Sequence, residues 1–503
     1  MTDGSAPEAG ATVTAPDLAS EVRRIADLTR NAAGESDHAA AVDAVVRRLD
    51  EPLRVAIAGR VKAGKSTLLN ALVGERLAAT DAGECTRIVT WYRHAIGYRV
   101  TADLRPEGRA DLAFRRQDGE LLIDLGELEV DGIERIEVGW PSAKLEAMTL
   151  IDTPGLGSSN EGASERTTSS LLDAGVDSPA EADAVLYLMR HLHHGDARFL
   201  EAFMDHSIAH ASPVNAVVVL SRADEIGAAR PDALDSARAI AARYAADPRV
   251  RELASGVLPV AGLLAETGAT LRQEQFEWLR TIARLDQERR DHLLVSVERF
   301  RDPERNPLGE EIREDLLARF GLYGLRVTVG LLARGDVTTA TELSGALLER
   351  SGIRALQRIL ADAYGARASL LKARSALVAL RAIATSLGRA GSSSSTEVLD
   401  AIDRLEASSG ALALLRLQHI VLAGYLSLSD PERQEIDRLC STGSGATRVG
   451  LADDAPPASI RETALAGVER WRGRAGNPLS DRRTIEAAEI VSRAYEEIFT
   501  AAR

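Results

Sequence analysis

Cysteine is almost missing from the 503 residues: only Cys85 and Cys440 occur, far apart and without metal-ligand spacing. A disulfide framework is excluded, and two inert thiols in a reduced compartment are the simple reading. Aromatic residues make up 4% and do not interleave with a basic stripe, which argues against a base-stacking surface for nucleic acid. No run of about 18 apolar residues occurs; the nearest, Leu417 to Ser429, is short and holds Gln418, His419 and Gly424. An integral membrane protein is not expected. Met1 to Pro16 lacks both a basic start and an apolar stretch, so it reads as a disordered lead rather than a signal peptide, and the expected location is cytoplasmic.

Lysine is the scarce base: of 61 Lys plus Arg only four are lysine, namely Lys62, Lys65, Lys144 and Lys372. Two of them lie three residues apart in a glycine-containing loop, which invites a chemical reason. Acids number 75, and the net charge of −14 has the wrong sign for a protein whose whole surface grips nucleic acid or anionic lipid. Any such contact has to be local. A 45% hydrophobic and 27% charged composition belongs to a folded chain long enough for several cores.

Leu18, Val22, Ile25, Ala26 and Leu28, then Val42, Val45, Val46 and Leu49, recur at helical spacing around Gly34 and predict two helices. From Leu53, short β-rich runs (53–58, 88–92, 136–140, 148–151, 184–189, 216–220 and 257–260) alternate with helical stretches, which predicts an α/β fold. Beyond Arg284 the chain reads as long amphipathic helices broken at Pro303, Pro307, Gly335, Gly391, Pro431 and Pro456. The expected divisions are a lead over 1–16, early helices over 17–50, an α/β domain over 51–285 and a helical region over 286–503.

Gly59-Arg60-Val61-Lys62-Ala63-Gly64-Lys65-Ser66 fits the phosphate-binding loop pattern, with the required strand before it and a helix-forming run from Thr67 after it. Gly59 and Gly64 let backbone N–H groups, with those around Ala63 and Thr67, wrap the phosphates. Lys65 brings a point charge to the β- and γ-oxygens, and Ser66 is placed to ligate Mg²⁺. Asp152-Thr153-Pro154-Gly155 ends the run at 148–151, placing a carboxylate beside the metal and the Gly155 N–H near the γ-phosphate.

Ser221-Arg222-Ala223-Asp224 follows the run at 216–220, where GTPases read guanine. The Asp224 carboxylate accepts from the N1–H and the exocyclic amine of guanine. Adenine offers neither donor on that edge, so GTP is favoured over ATP. The aliphatic stem of Arg222 is suited to pack along the base plane. Thr86 lies between the two phosphate motifs, where a switch threonine completes the Mg²⁺ shell. The expected catalytic set is thus Lys62, Lys65, Ser66, Thr86 and Asp152, with Ser66, Thr86 and Asp152 on the metal. Ala261 and Gly262 follow the run at 257–260 as the loop under guanine O6. His191, His193 and His194 offer two metal ligands but no neighbouring carboxylate or cysteine in sequence, and read as a surface loop.

On the stretches 59–74 (GRVKAGKSTLLNALVG), 85–94 (CTRIVTWYRH), 152–155 and 221–227 (SRADEIG), the chain resembles the bacterial dynamin-like GTPases, most closely their shorter, isoniazid-inducible branch. The resemblance implies a P-loop GTPase domain with a mixed sheet and helices on both faces, and an elongated all-α neck and trunk. It places the early helices beside the late helices of 459–503 in the neck. It implies Mg²⁺-dependent hydrolysis of GTP to GDP and phosphate, self-association through GTPase domains, and peripheral action on anionic phospholipid at the inner face of the cytoplasmic membrane, in remodelling, fusion or repair. The alternative is a non-remodelling GTP switch acting with a longer dynamin-like paralogue or another protein. Nucleic acid is not an expected partner.

Two positions of the phosphate loop depart from the dynamin pattern of Gln then Ser: Val61 and Lys62 stand there. Val61 cannot hydrogen-bond an attacking water. The Lys62 ammonium is a candidate replacement for the monovalent cation that dynamins hold between β- and γ-phosphates, with a solvent-facing lysine as the alternative. For lipid, the stretch 363–396 carries Arg367, Lys372, Arg374, Arg381 and Arg389 without an acid. Glu397, Asp400, Asp403 and Glu406 follow at three-residue spacing, which favours a salt-bridged helical hairpin over direct lipid contact.

Overall fold

The computed structural model describes residues 15–78, 88–154 except 107 and 118, 182–190 and 214–502. Helices α1 (Ala15–Ala33) and α2 (Asp37–Asp50) lead into β1 (Leu53–Gly59), and α3 (Lys65–Val73) follows it. Next come β2 (Val89–His94), β3 (Arg99–Leu104), β4 (Arg109–Asp111), β5 (Ala113–Gln117), β6 (Glu120–Asp124), β7 (Ile133–Trp140) and β8 (Met148–Asp152). The strands end with β9 (Ala184–Met189), β10 (Ala216–Ser221) and, after helix α4 (Ala233–Ala245), β11 (Val257–Val260).

Nine strands form one sheet in the order β11-β10-β9-β1-β8-β2-β7-β3-β4, and β5 pairs only with β6. From β11 to β8 every pairing is parallel. Strand β2 then runs antiparallel to β8, with Thr90 opposite Asp152, and the sheet becomes mixed. Every residue of β9 and β10 is buried, as expected for uninterrupted Val/Leu runs covered on both faces. Strands β3 to β6 were not expected from the sequence. Residues 99–124 are rich in Arg, Asp and Glu, and β5 is exposed along its whole length, so the apolar signal that marks a core strand is absent.

Helices α5 (Gly262–Ala269), α6 (Gln273–Ala283), α7 (Glu310–Arg334), α8 (Ala340–Arg350) and α9 (Ile353–Arg358) continue the chain. Phe276, Leu279, Phe300, Leu316, Phe320, Leu343 and Leu347 join the apolar core on one face of the sheet. Ile353, Leu356, Leu360, Tyr364 and Leu371 join the core on the other. The packing around the sheet therefore reaches Leu371, although the last strand ends at Val260 and the sequence places the change of texture near 285. Among the described residues α7 alone is long and apolar enough to cross a membrane, and half of that stretch is buried within the protein. It is interrupted at Gly321 (φ 58°), and Arg326 donates to the Leu294 and Ala229 carbonyls at 2.8 and 2.6 Å.

The longer helices that follow are α10 (Ala368–Arg389), α11 (Ser395–Ser408), α12 (Gly410–Leu422), α13 (Asp430–Leu439), α14 (Pro457–Ala475) and α15 (Arg482–Ala501). Leu18, Val22 and Ile25 of α1 share a core with Leu377, Leu380 and Ala384 of α10 and with Ile402 of α11. The last two helices build a separate core with α12 and α13. The expected neck of both chain ends is thus not what packs: the apolar stripe of α15 is already taken by α14, where a Cβ on Gly467 would sit 2.6 Å from the Tyr495 ring. The basic face of α10 is occupied as the hairpin reading anticipates. Arg381 reaches Asp403 at 2.7 Å and Glu406 at 3.0 Å, and Lys372 donates to the Leu49 and Glu51 carbonyls at 2.7 and 2.8 Å. Burial pushes the Cys440 thiol up to about 12, in keeping with an inert cysteine.

Candidate functional site

The carboxyl ends of β1, β8, β10 and β11 converge on one edge of the sheet, where an open α/β sheet offers a crevice to ligands. At the end of β1 the backbone turns sharply. Gly59 has φ 148°, and a Cβ there would lie 2.5 Å from the Leu188 carbonyl oxygen, so no other residue fits this close approach. Gly64 (φ 92°) caps α3, whose first residue is Lys65. Lys62 also adopts a left-handed conformation, with φ 62°. Its side chain is exposed and forms no ion pair among the described residues, and Val61 is exposed beside it.

Lys65 is buried, and its Nζ donates to the Gly59 and Arg60 carbonyls at 3.3 and 3.4 Å. Burial lowers its pKa, with the Asp152 charge acting in the opposite direction. Ser66 Oγ donates to Asp152 Oδ2 at 2.9 Å. Asp152 is drawn above the usual carboxylate range by burial, against the pull of Lys65 and the Ser66 hydrogen bond. Its Oδ1 is buried without a hydrogen-bond partner. An orphaned carboxylate oxygen beside a serine hydroxyl fits a hard divalent cation, which takes oxygen ligands and shares them with phosphate. Ser66 and Asp152 would hold Mg²⁺ there. Thr153, one residue on, is pinned by Oγ1 to the Ile57 carbonyl at 2.9 Å.

A cavity of about 140 Å³ opens beside this loop, lined by Ala63, Gly64, Thr67, Ser221, Arg222, Asp224 and Gly262 with apolar Leu188, Val219 and Leu263. Its walls thus carry residues of the loop after β1 and of the segment after β10 together. Asp224 is buried, and burial raises its pKa. Arg222 sits at φ 51° and donates from Nη1 to Glu225 Oε1 at 2.6 Å, which fixes its stem at the cavity wall. Glu225 was missed in the sequence, although an acid three residues after an arginine was a readable pairing signal. Ser221 Oγ donates to the Met189 carbonyl at 3.2 Å and so ties β10 to β9. Of the last pair, Gly262 lines the cavity and Ala261 does not: Ala261 is fully buried and its N–H donates to the Ser351 carbonyl at 2.9 Å.

Behind the site, Asn70 on α3 accepts from the Leu77 and Ala78 N–H groups at 2.9 and 2.8 Å and donates to Glu266 of α5 at 3.2 Å. This buried network locks the phosphate-loop helix to the helix that follows Gly262. Nothing in the sequence singled it out, because its partners are almost 200 residues apart. Thr86, Gly155, Cys85, His191, His193 and His194 lie outside the described residues. Among the described residues no cluster of three or more His, Cys, Asp or Glu side chains is present that would hold a metal by itself.

Residues 55–220 match the profile of the Dynamin family. The isoniazid-induced protein IniC of Mycobacterium tuberculosis is 39% identical over 461 residues, 90% of this chain and 91% of its own. A bacterial dynamin-like protein of Nostoc punctiforme is 31% identical over 115 residues, 20% of this chain and 16% of its own. A solved oligomerised bacterial dynamin pair aligns over 98% of this chain and 81% of its own at 15% identity, with a TM-score of 0.30. With the P-loop, the Asp152 carboxylate and the Asp224 pocket on one sheet edge, the chain belongs to the bacterial dynamin-like GTPases, in the isoniazid-induced branch.

Proposed function

We propose that the protein hydrolyses GTP with Mg²⁺ and couples pairing of its GTPase domains to work on the cytoplasmic membrane. The observation that carries the nucleotide half is the joint placement of Lys65, Ser66 and Asp152 at one end of a crevice and buried Asp224 at the other. When bound, Mg²⁺ would supply neutralisation of phosphate charge. Ser66 and Asp152 would hold it with Thr86, Lys65 would turn from the loop carbonyls toward the β- and γ-oxygens, and the Gly155 N–H would meet the γ-phosphate. Arg222, held by Glu225, orients the base on Asp224, with Gly262 beneath it. Val61 leaves water orientation to another group. The Lys62 ammonium reaches into the space between the phosphates where dynamins hold a monovalent cation. Hydrolysis is then indifferent to potassium in the wild type and falls in Lys62→Ala.

In the membrane half, the sheet with its covering helices acts as the GTPase domain, α1 and α2 with α10 and α11 as the neck, and the helices after it as the trunk. A second reading, a GTP switch serving a longer dynamin-like paralogue or another protein partner, is favoured by one observation: Arg381 and Lys372 of α10 are spent on Asp403, Glu406 and the Leu49 and Glu51 carbonyls rather than left for lipid. The deciding experiment is GTP hydrolysis across a protein concentration series, with and without anionic liposomes, using Lys65→Ala as the blank. A specific activity that climbs with protein or lipid supports the membrane reading. A slow, concentration-independent rate supports the switch.

A further inference from the structure

Between the two helical cores lies a cavity of about 1200 Å³, bounded by the start of α10, by α12, by the end of α13 and by the end of α15. Small-ligand pockets run to roughly 300–1,000 Å³, so this one is large enough for an extended ligand. Leu370, Leu414, Leu415, Leu439, Ile460 and Ile498 supply its apolar wall.

The charged groups on that wall are unevenly matched. Arg367 donates to Gln418 Oε1 at 2.7 Å and to the Cys440 carbonyl, and Arg448 donates from Nε to the Leu439 carbonyl at 3.0 Å. Both guanidinium groups are half-buried on neutral acceptors, and exposed Arg493 makes no ion pair among the described residues. Of the three acids on the wall, Glu496 is taken by Arg472 at 2.8 Å, and Asp453 accepts the Ser444 hydroxyl. Glu497 remains, with Oε1 buried and unpartnered; burial raises its pKa, and the charges of Arg448 and Arg493 pull in the opposite direction. Arg448 and Arg493 thus share one acid and Arg367 rests on neutral acceptors, which leaves guanidinium groups and an apolar wall facing whatever enters.

We propose that this cavity binds a single-chain anionic amphiphile of the fatty-acid type, with its head on Arg448, Arg367 and Arg493 and its chain along Leu370, Leu414, Leu415 and Ile498. A small inorganic anion would leave the apolar wall uncovered, and a neutral chain would leave the guanidinium groups unmatched. The proposal is independent of the nucleotide site.

Calorimetric titration of delipidated full-length protein with laurate, below its aggregation concentration, tests it. Glycerol monolaurate has the same chain with a neutral head, and acetate has the head without the chain. Saturable binding of laurate is expected, with monolaurate about tenfold weaker or worse and acetate silent. Ala411→Phe, which fills the cavity without touching the charges, abolishes binding, and Arg448→Gln or Arg493→Gln weakens it about tenfold. Circular dichroism shows which variants are folded, and the exposed Arg493 keeps the charge test available if Arg448→Gln does not fold. Equal binding of laurate and monolaurate, binding that survives Ala411→Phe, or no binding at all overturns the proposal. So does binding that appears only after residues 1–14 are removed, which would assign the cavity to the chain's own lead.

Discussion

Replacing Asp224 by Asn alters one charge at the guanine end of the site and leaves shape nearly unchanged. In the proposed pose the carboxylate accepts two guanine donors, and a hydrogen bond to a charged group contributes about 1.5–3 kcal/mol, so the pair is worth about 3–6 kcal/mol. Asp224 is buried and its pKa is raised by desolvation, which means that the bare carboxylate already carries a cost that guanine has to offset. The lower end of the range therefore applies, about 3 kcal/mol or roughly 10²-fold in affinity. An Asn at this position keeps one acceptor and gains a donor. Xanthine presents an N1–H donor and an O2 acceptor on the same edge, so the variant should prefer xanthine nucleotides where the wild type prefers guanine. Equilibrium titration with fluorescent GDP, competed by XDP and ADP, reads all three affinities in one assay. A loss of GDP affinity below tenfold, no shift toward XDP, or wild-type ADP affinity within tenfold of GDP would refute the placement of guanine on Asp224.

Further outcomes follow from packing and charge. Asp152 has a pKa raised by burial, so its ionised form lowers the stability of the nucleotide-free protein above the folded pKa, and this cost disappears as pH falls below the unfolded value. Nucleotide-free Asp152→Asn should accordingly melt above wild type at pH 7 and converge with it in acid, as thermal denaturation at several pH values will show. Gly59→Ala adds a Cβ 2.5 Å from the Leu188 oxygen at φ 148° and should cost about 2–4 kcal/mol in urea unfolding; a loss under 1 kcal/mol would mean the loop relaxes freely. In the helical region, Leu380→Ala, fully buried, should cost about 2–5 kcal/mol, whereas Arg381→Ala removes a partly exposed ion pair and should change stability by less than about 1 kcal/mol. The reverse order would mean that the α10–α11 hairpin is held by charge.

The segments that meet at the sheet edge were legible because the chemistry expected of them demands consecutive residues. A loop that wraps phosphate needs Gly59, Gly64 and Lys65 at fixed offsets, and a guanine reader needs an acid such as Asp224 just after a buried strand. The central strands were legible from unbroken Val/Leu runs such as 216–220. What escaped depends on contacts between distant parts of the chain. The pairing of α1 with α10 rather than with α15 is settled by which apolar stripes interlock, and several helices offer comparable stripes. The absence of Ala261 from the wall of the cavity beside Asp224 goes with its hydrogen bond to a carbonyl 90 residues later, at Ser351. Strands β3 to β6 form where Arg–acid pairs such as Arg99–Asp111 and Arg135–Asp103 replace the apolar alternation by which strands are read.

The chain passes between the sheet and the helical bundle twice, once after α2 and once before α10, and Lys372 bonds these passages together through the Leu49 and Glu51 carbonyls. Lys372 is not alone at this junction: Arg48 of α2 pairs with Asp183, just before β9, at 2.9 Å, both almost fully buried, and Arg251 reaches the Leu422 carbonyl at the end of α12 at 3.4 Å. The sheet and the bundle are thus stitched at three separate points, one of them a buried ion pair that costs most when only one partner is removed.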